Sequence, residues 1–190
     1  MRGSSATAYQ DELIITEIID GKEVAMSPRP SIWHSHIIGN IHRIFSSYLR
    51  GKRYRAFIEP ELILDERNHF VPDVAIVCDK SKLKSLAIEG APDLVVEVLS
   101  PATMMRDRGI KKDAYERAGV REYWIVDGVS KTIEVYCLSE GRFQLNHIYL
   151  VFPPEEWERM TGEERAAARL SVKVSLYDDL LVDIREVFEE

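Results

Sequence analysis

The sequence has no apolar run approaching the length needed to cross a bilayer, and Met1 to Gln10 is small and polar rather than a charged stretch leading into an apolar one. Neither a membrane span nor a secretory leader is expected, so the chain is expected to be cytoplasmic with no membrane partner. Cysteine is scarce. Cys78 and Cys137 stand far apart and neither belongs to a C-x-x-C pair, which argues against a disulfide framework or a cysteine-built zinc cage and leaves two free, partly buried thiols. The histidines do not supply a zinc site either: His34, His36 and His42 lack the His-x-x-x-His spacing, and His69 and His147 fall in expected loops or strands. There is no glycine-rich phosphate loop, nucleophile elbow or Ser-His-Asp arrangement, so covalent nucleophilic catalysis is not expected. Repeats and low-complexity tracts are missing as well.

Positive charge is also short, with a formal net charge of −7. Proteins that approach phosphates usually show a basic footprint, so the sum speaks against such a partner. The distribution matters more. Met1 to Lys112 carries 16 Lys and Arg against 15 Asp and Glu, and the remainder 9 against 17, so the acidity lies C-terminally. Local basic groups occur at Arg50, Lys52, Arg53 and Arg55, at Lys80, Lys82 and Lys84, and at Arg106, Arg108, Lys111 and Lys112, each of which reads equally as solvated surface.

What is present suffices for one globular core: 190 residues, 45% of them hydrophobic. We expect a flexible N-terminus over residues 1–10 and a single domain over 11–190. Between Glu12 and Met26, two β-prone runs flank Asp20-Gly21 and predict a hairpin whose Glu17 and Glu23 face water. Apolar residues from Ile37 to Leu49 recur at helical spacing. Tyr54–Leu64 and Phe70–Val77 read as a strand hairpin around a polar turn, and Leu94–Leu99 as a buried central strand. A helical stretch opening near Ser100-Pro101 or Thr103 runs to Ala118, stopped by Gly119. Strands Glu122–Val126, Thr132–Leu138 and Arg142–Val151 follow as an antiparallel meander, then a helical segment from about Glu155 to Leu170. The fold class is mixed α/β (α+β), a mixed central sheet flanked by helices with an N-terminal β-hairpin.

Two carboxylates stand out. An acid inside an apolar strand is costly unless protonated, paired or bound to a cation, so Glu97 needs a partner. That partner is either a lysine or arginine in a structural ion pair, or a cation. Asp73 follows Pro72 at the mouth of another strand, where Pro-Asp commonly begins a turn. On neighbouring strands the two acids can hold one hard cation, magnesium or manganese, with water and a substrate phosphate completing its shell.

Val71-Pro72-Asp73-Val74-Ala75-Ile76-Val77, Ala91-Pro92-Asp93-Leu94-Val95-Val96-Glu97-Val98-Leu99-Ser100-Pro101-Ala102-Thr103, and Gly119-Val120-Arg121-Glu122-Tyr123-Trp124-Ile125-Val126-Asp127 together resemble the Uma-two family of restriction endonucleases in the PD-(D/E)XK nuclease superfamily. The likeness runs from about Glu12 onward. It implies a restriction-endonuclease-like core and Asp73 and Glu97 as metal ligands. The superfamily pattern expects a lysine two residues after the glutamate, where this chain has Leu99. Within the family the lysine is displaced onto the following helix, and Lys111 matches its Asp-x-x-x-Lys-x-x-x-Tyr spacing through Asp107 and Tyr115, with Lys112 the competitor. Glu59 and His34 are accessory candidates, although Glu59 and Glu61 also suit solvent-facing strand positions and His34 a helix end. Trp124 reads as core packing.

These readings converge on hydrolysis of a DNA phosphodiester by activated water, with Mg²⁺ or Mn²⁺ at Asp73 and Glu97, Lys111 assisting, and a homodimer or higher homo-oligomer. Two rivals remain at this point. One is a catalytically silent nucleic-acid-binding or assembly module that keeps the fold. The other is a glycoside hydrolase using the same two acids about 5 to 9.5 Å apart.

Overall fold

A computed structural model describes residues 16–26 and 30–189 of the chain. The expected N-terminal flexibility of residues 1–10 lies outside them. Strands β1 (Thr16–Ile19) and β2 (Lys22–Ala25) pair around Asp20 and Gly21, both at positive φ, so the aspartate-glycine dipeptide makes the tight turn it favours. Helix α1 (Ile32–Leu49) starts where Ser31 accepts a hydrogen bond from the His34 amide at 3.1 Å, and it buries Ile37, Ile38, Ile41, Phe45 and Leu49.

The expected hairpin over 54–77 pairs as anticipated but is shared between two sheets. β3 (Arg55–Ile58) pairs with β6 (Val74–Val77), while β4 (Leu62–Asp65) pairs with β5 (Asn68–Phe70). Pro60 and Pro72 lie at the two breaks, where each removes the amide that would continue a ladder. Downstream come β7 (Ile88–Glu89), β8 (Leu94–Val98), α2 (Met104–Arg108), α3 (Ile110–Ala118), β9 (Glu122–Asp127), β10 (Thr132–Ser139) and β11 (Arg142–Leu150). The chain continues through α4 (Pro154–Arg159), α5 (Gly162–Ala167), β12 (Ser171–Lys173), β13 (Leu181–Asp183) and α6 (Ile184–Val187).

Two helices expected to be continuous are broken. Gly109 separates α2 from α3 with φ −117° and ψ −105°, and a Cβ there would stand 2.9 Å from the Met105 carbonyl oxygen. Thr161 separates α4 from α5 because its hydroxyl and the Glu164 carboxylate form a reciprocal capping box that starts a new helix. The stop at Gly119, with φ 89°, is as expected.

The main sheet has six strands in the order β11-β10-β9-β8-β6-β3, with β8 antiparallel to β6 and parallel to β9. Every residue of β8 is buried, which explains its almost unbroken apolar run. One face carries Val74, Ile76, Leu94, Val96, Trp124 and Val126 against α1 and the C-terminal segment. The other face carries Ala75, Val77, Val95, Tyr123 and Ile125 against α3 and a second sheet, ordered β2-β1-β5-β4-β7. The central sheet is thus covered by helix on one side and by a helix and a small sheet on the other. Trp124 is core packing, edge-on to Phe45 with ring centroids 5.5 Å apart. Both cysteines are free and partly buried.

Glu122, at the start of β9, is a buried carboxylate with a structural job. It accepts from the Trp124 indole at 2.6 Å and from the Ser175 amide at 2.6 Å, tying the C-terminal segment to the sheet. Burial pushes its carboxyl up, and the donors from Ser175 and Trp124 oppose that shift.

Candidate active site

The antiparallel register of β6 and β8 pairs Val74 with Val96 and Ala75 with Val95. One step further in that register sets Asp73 opposite Glu97, and period-two alternation puts both on the face that carries Ala75 and Val95. Pro72 ends the ladder there, and the Asp73 carboxylate takes over the next amide, accepting from Val98 N at 2.6 Å. Burial is the main influence on Asp73 and pushes its carboxyl up to about 6, against the pull of His34 and the Val98 amide. Glu97 is 4% exposed, and burial likewise holds it well above the ordinary glutamate value.

Lys111, Ala114 and Tyr115 form the inward face of α3. The Lys111 ammonium lies 2.7 Å from Glu97 Oε1, and the Tyr115 hydroxyl donates to the same oxygen at 2.7 Å. Of the partners open to Glu97, the protein itself supplies a lysine, Lys111. Asp107 Oδ1 stands 3.8 Å from the ammonium across the helix break, and the Asp107 backbone carbonyl accepts from the Tyr123 hydroxyl at 2.9 Å. Burial alone would lower the Lys111 pKa, but Glu97, Glu17 and Asp107 outweigh it and hold the side chain protonated. Burial raises Asp107 in turn. Lys112 points elsewhere, its ammonium 3.7 Å from the Tyr136 ring centroid.

Glu17 corrects the sequence reading. It was expected to face water, yet it is 4% exposed and its Oε1 accepts from Lys111 Nζ at 3.0 Å and from the Val71 amide at 3.0 Å. Alternation held the missed signal, because Glu17 shares its strand face with the buried Ile19. Glu23 is exposed as expected.

Glu17, His34, Glu59, Asp73, Glu97, Arg106, Asp107 and Lys111 line one cavity of about 90 Å³, with Tyr115 behind Glu97. Of the accessory candidates, His34 reaches deepest. Its Nε2 lies 2.8 Å from the Val98 carbonyl oxygen and 3.6 Å from Asp73 Oδ2. Glu59 is exposed at the rim, held at φ 45° with its amide donating to the Asp73 carbonyl, and Glu61 is exposed away from the cavity. The other sequence signal that went unread is Arg106, submerged in a basic cluster. Among the described residues no three or more His, Cys, Asp and Glu side chains form a ready-made ligand cage.

The family model described as "Uma2: Putative restriction endonuclease" matches residues 7–168. The chain belongs to this family. A crystal structure of "a putative nuclease belonging to DUF820" from Anabaena variabilis ATCC 29413 superimposes with a TM-score of 0.68 over 91% of this chain and 89% of that one, at 21% identity. That likeness establishes the shared fold. The chain is also similar to "Uncharacterized protein slr1290" of Synechocystis sp. (strain ATCC 27184 / PCC 6803 / Kazusa), 39% identical over 75 residues, or 39% of this chain. The match spans about 40% of that relative's length. Family membership makes the chain a nuclease-family protein. Among the described residues no helix is long and apolar enough to cross a membrane.

Proposed function

We propose that the chain is a metal-dependent endonuclease that hydrolyses DNA phosphodiester bonds, with Mg²⁺ or Mn²⁺ held by Asp73 and Glu97. The observation that carries this reading is the register of β6 and β8, which sets the two acids side by side on one face, with Lys111 against Glu97. Charge balance supports it. Leaving aside Glu59, exposed at the rim, the four inner cavity carboxylates, Glu17, Asp73, Glu97 and Asp107, face two permanent cations, Lys111 and Arg106, a deficit that one divalent ion offsets. The donor set fits such an ion: two carboxylates are the usual protein share for magnesium, which otherwise keeps water and phosphate oxygens. Bound there, the ion would supply Lewis-acid polarisation of a phosphoryl oxygen.

Lys111 has three ammonium protons, of which Glu97 and Glu17 take two. Asp107, at 3.8 Å, is too far for a full hydrogen bond, so the third proton is available to the attacking water or a phosphate oxygen. Glu17 and Tyr115 hold this arrangement from two sides, and neither needs to touch substrate. Leu99, at the in-strand lysine position, favours one other reading, a silent module that keeps the fold and binds nucleic acid without cutting it. Plasmid cleavage in Mg²⁺ separates the two.

Thermal unfolding with and without Mn²⁺ tests the metal site. At about a hundred times Kd the melting temperature should rise by about 5–10 °C. Protons compete for the same oxygens, since burial pushes Asp73 up to about 6 and holds Glu97 well above its ordinary value. The shift should therefore be largest at pH 8 and shrink steadily toward pH 5; no shift at saturating Mn²⁺ at pH 8 would remove the metal from the proposal. Cutting both strands in one encounter would take two copies of so small a domain. Light scattering should find a dimer or larger assembly at working concentration, and a monomer would restrict the reading to single-strand cutting.

A further inference from the structure

Among the described residues, three side-chain atoms on the wall of the candidate site are buried without a hydrogen-bond partner: His34 Nδ1, Asp107 Oδ1 and Arg106 Nη1. A fourth such atom, the Tyr177 hydroxyl, lies elsewhere. Buried polar atoms are rarely left unpaired, and three on one small cavity indicate groups arranged for something that enters it. The three differ in kind. Asp107 Oδ1 is an acceptor that already leans on Lys111. His34 Nε2 faces the Val98 carbonyl, and its Nδ1 is an acceptor or a donor according to the ring's protonation. Only Arg106 Nη1 is an obligate donor, and a guanidinium nitrogen without an acceptor calls for an anion.

Arg106 differs here from its neighbour. Arg108 is paired with Glu134, their closest atoms 2.5 Å apart, on the exposed side of α2. Arg106 has no carboxylate partner among the described residues. The anion that suits both this arginine and a cavity already rich in carboxylates is one that can share a divalent cation with those carboxylates. That is a phosphate oxygen, for which the planar guanidinium fork is well matched.

We propose that Arg106 is the phosphate clamp of the site, donating to a non-bridging oxygen of the nucleic-acid backbone beside the Asp73–Glu97 pair. The proposal rests on the nuclease reading for the identity of the phosphate, and deepens it by naming the group that receives the substrate's charge. A clamp of this kind burdens the free protein, since an unpaired buried donor is destabilising until the ligand arrives.

The test is Arg106→Met, which keeps length and burial but removes the donors, measured against the parent chain with a fluorescent DNA duplex in Ca²⁺. Affinity should fall about tenfold, and the slope of log affinity against log salt should flatten by about one. The metal-free melting temperature should stay level or rise, which a structural arginine would not allow. Arg106→Lys should recover part of the affinity, and Arg108→Met should change it less than about twofold. Parental affinity and salt slope in Arg106→Met would overturn the clamp, as would an affinity loss accompanied by a fall of several degrees in melting temperature that Arg106→Lys fails to restore. The two readings fail separately. If the parent binds DNA through Arg106 but never cuts it in Mg²⁺, the clamp stands and the nuclease falls; if the parent cuts DNA and Arg106→Met binds and cuts equally well, the clamp alone falls.

Discussion

Replacing Lys111 with alanine is expected to slow single-turnover DNA cleavage in Mg²⁺ by about a hundredfold or more, the usual consequence of removing one donor that acts on the transition state. It should also destabilise the fold. Lys111 is 4% exposed and its ammonium lies between Glu97 and Glu17, so its loss leaves buried carboxylates without their compensating charge, a change that typically costs about 3–5 kcal/mol. The deficit has a pH signature. Protonation relieves an unpaired carboxylate, so Glu97, already held well above its ordinary value by burial, rises further without Lys111, and the variant loses stability as pH climbs through that window. The gap between the parent and Lys111→Ala should therefore be wider at pH 8 than at pH 5 in urea unfolding. Lys112→Ala, which removes only an ammonium lying over Tyr136, should leave the cleavage rate unchanged and cost at most about 1 kcal/mol. Equal rates for the two alanine variants would return Lys111 to a purely structural role.

Asp73→Asn should have the opposite balance of effects. Cleavage should drop by on the order of a thousandfold, because a lost metal ligand forfeits several kcal/mol of transition-state stabilisation. The Mn²⁺-induced rise in melting temperature should vanish with it. The metal-free protein should nonetheless be as stable as the parent or more so. The amide oxygen of asparagine can still accept from Val98 N, while the burden of a carboxylate raised by burial to about 6 is gone. The sign follows from the shift. A folded-state value above the unfolded one means that the parent loses stability as pH rises from about 4 to 6, and bears the full cost above that. The advantage of Asp73→Asn should thus be complete at pH 8 and absent at pH 4. An Asp73→Asn protein that still binds Mn²⁺ and cuts DNA at the parental rate would end the assignment of Asp73 as a ligand.

Much of the site could be read without coordinates because its chemistry sits on regular elements. Glu97 announced itself as an acid inside an apolar strand, and that strand is buried throughout. The Asp107, Lys111 and Tyr115 spacing placed three side chains on one helix face, and it still brings them to Glu97 although Gly109 breaks the helix between the first two. The break went unforeseen because glycine within a helical pattern is usually tolerated. Here the pressing neighbour is the Met105 carbonyl, which is a matter of backbone geometry rather than composition. The split of the 54–77 hairpin had a local cause in Pro60 and Pro72, but two prolines falling at the same level is visible only once the register is known.

Sequence alone therefore determined the mixed fold, the central strand and the hairpin turn at Asp20-Gly21, and it singled out Asp73, Glu97 and Lys111 as candidates that the fold gathers on one cavity, because hydrophobic period, capping and turn chemistry act over a few residues. Tertiary structure decided what those residues face. Alternation puts Glu17 on the same strand face as Ile19, but only the docking of β1 against Lys111 makes that face the inner one. Arg106 was one basic residue among several until packing withheld an acceptor from it. Direction across a cavity depends on contacts between residues as far apart as Glu17 and Lys111, and no local propensity encodes that separation.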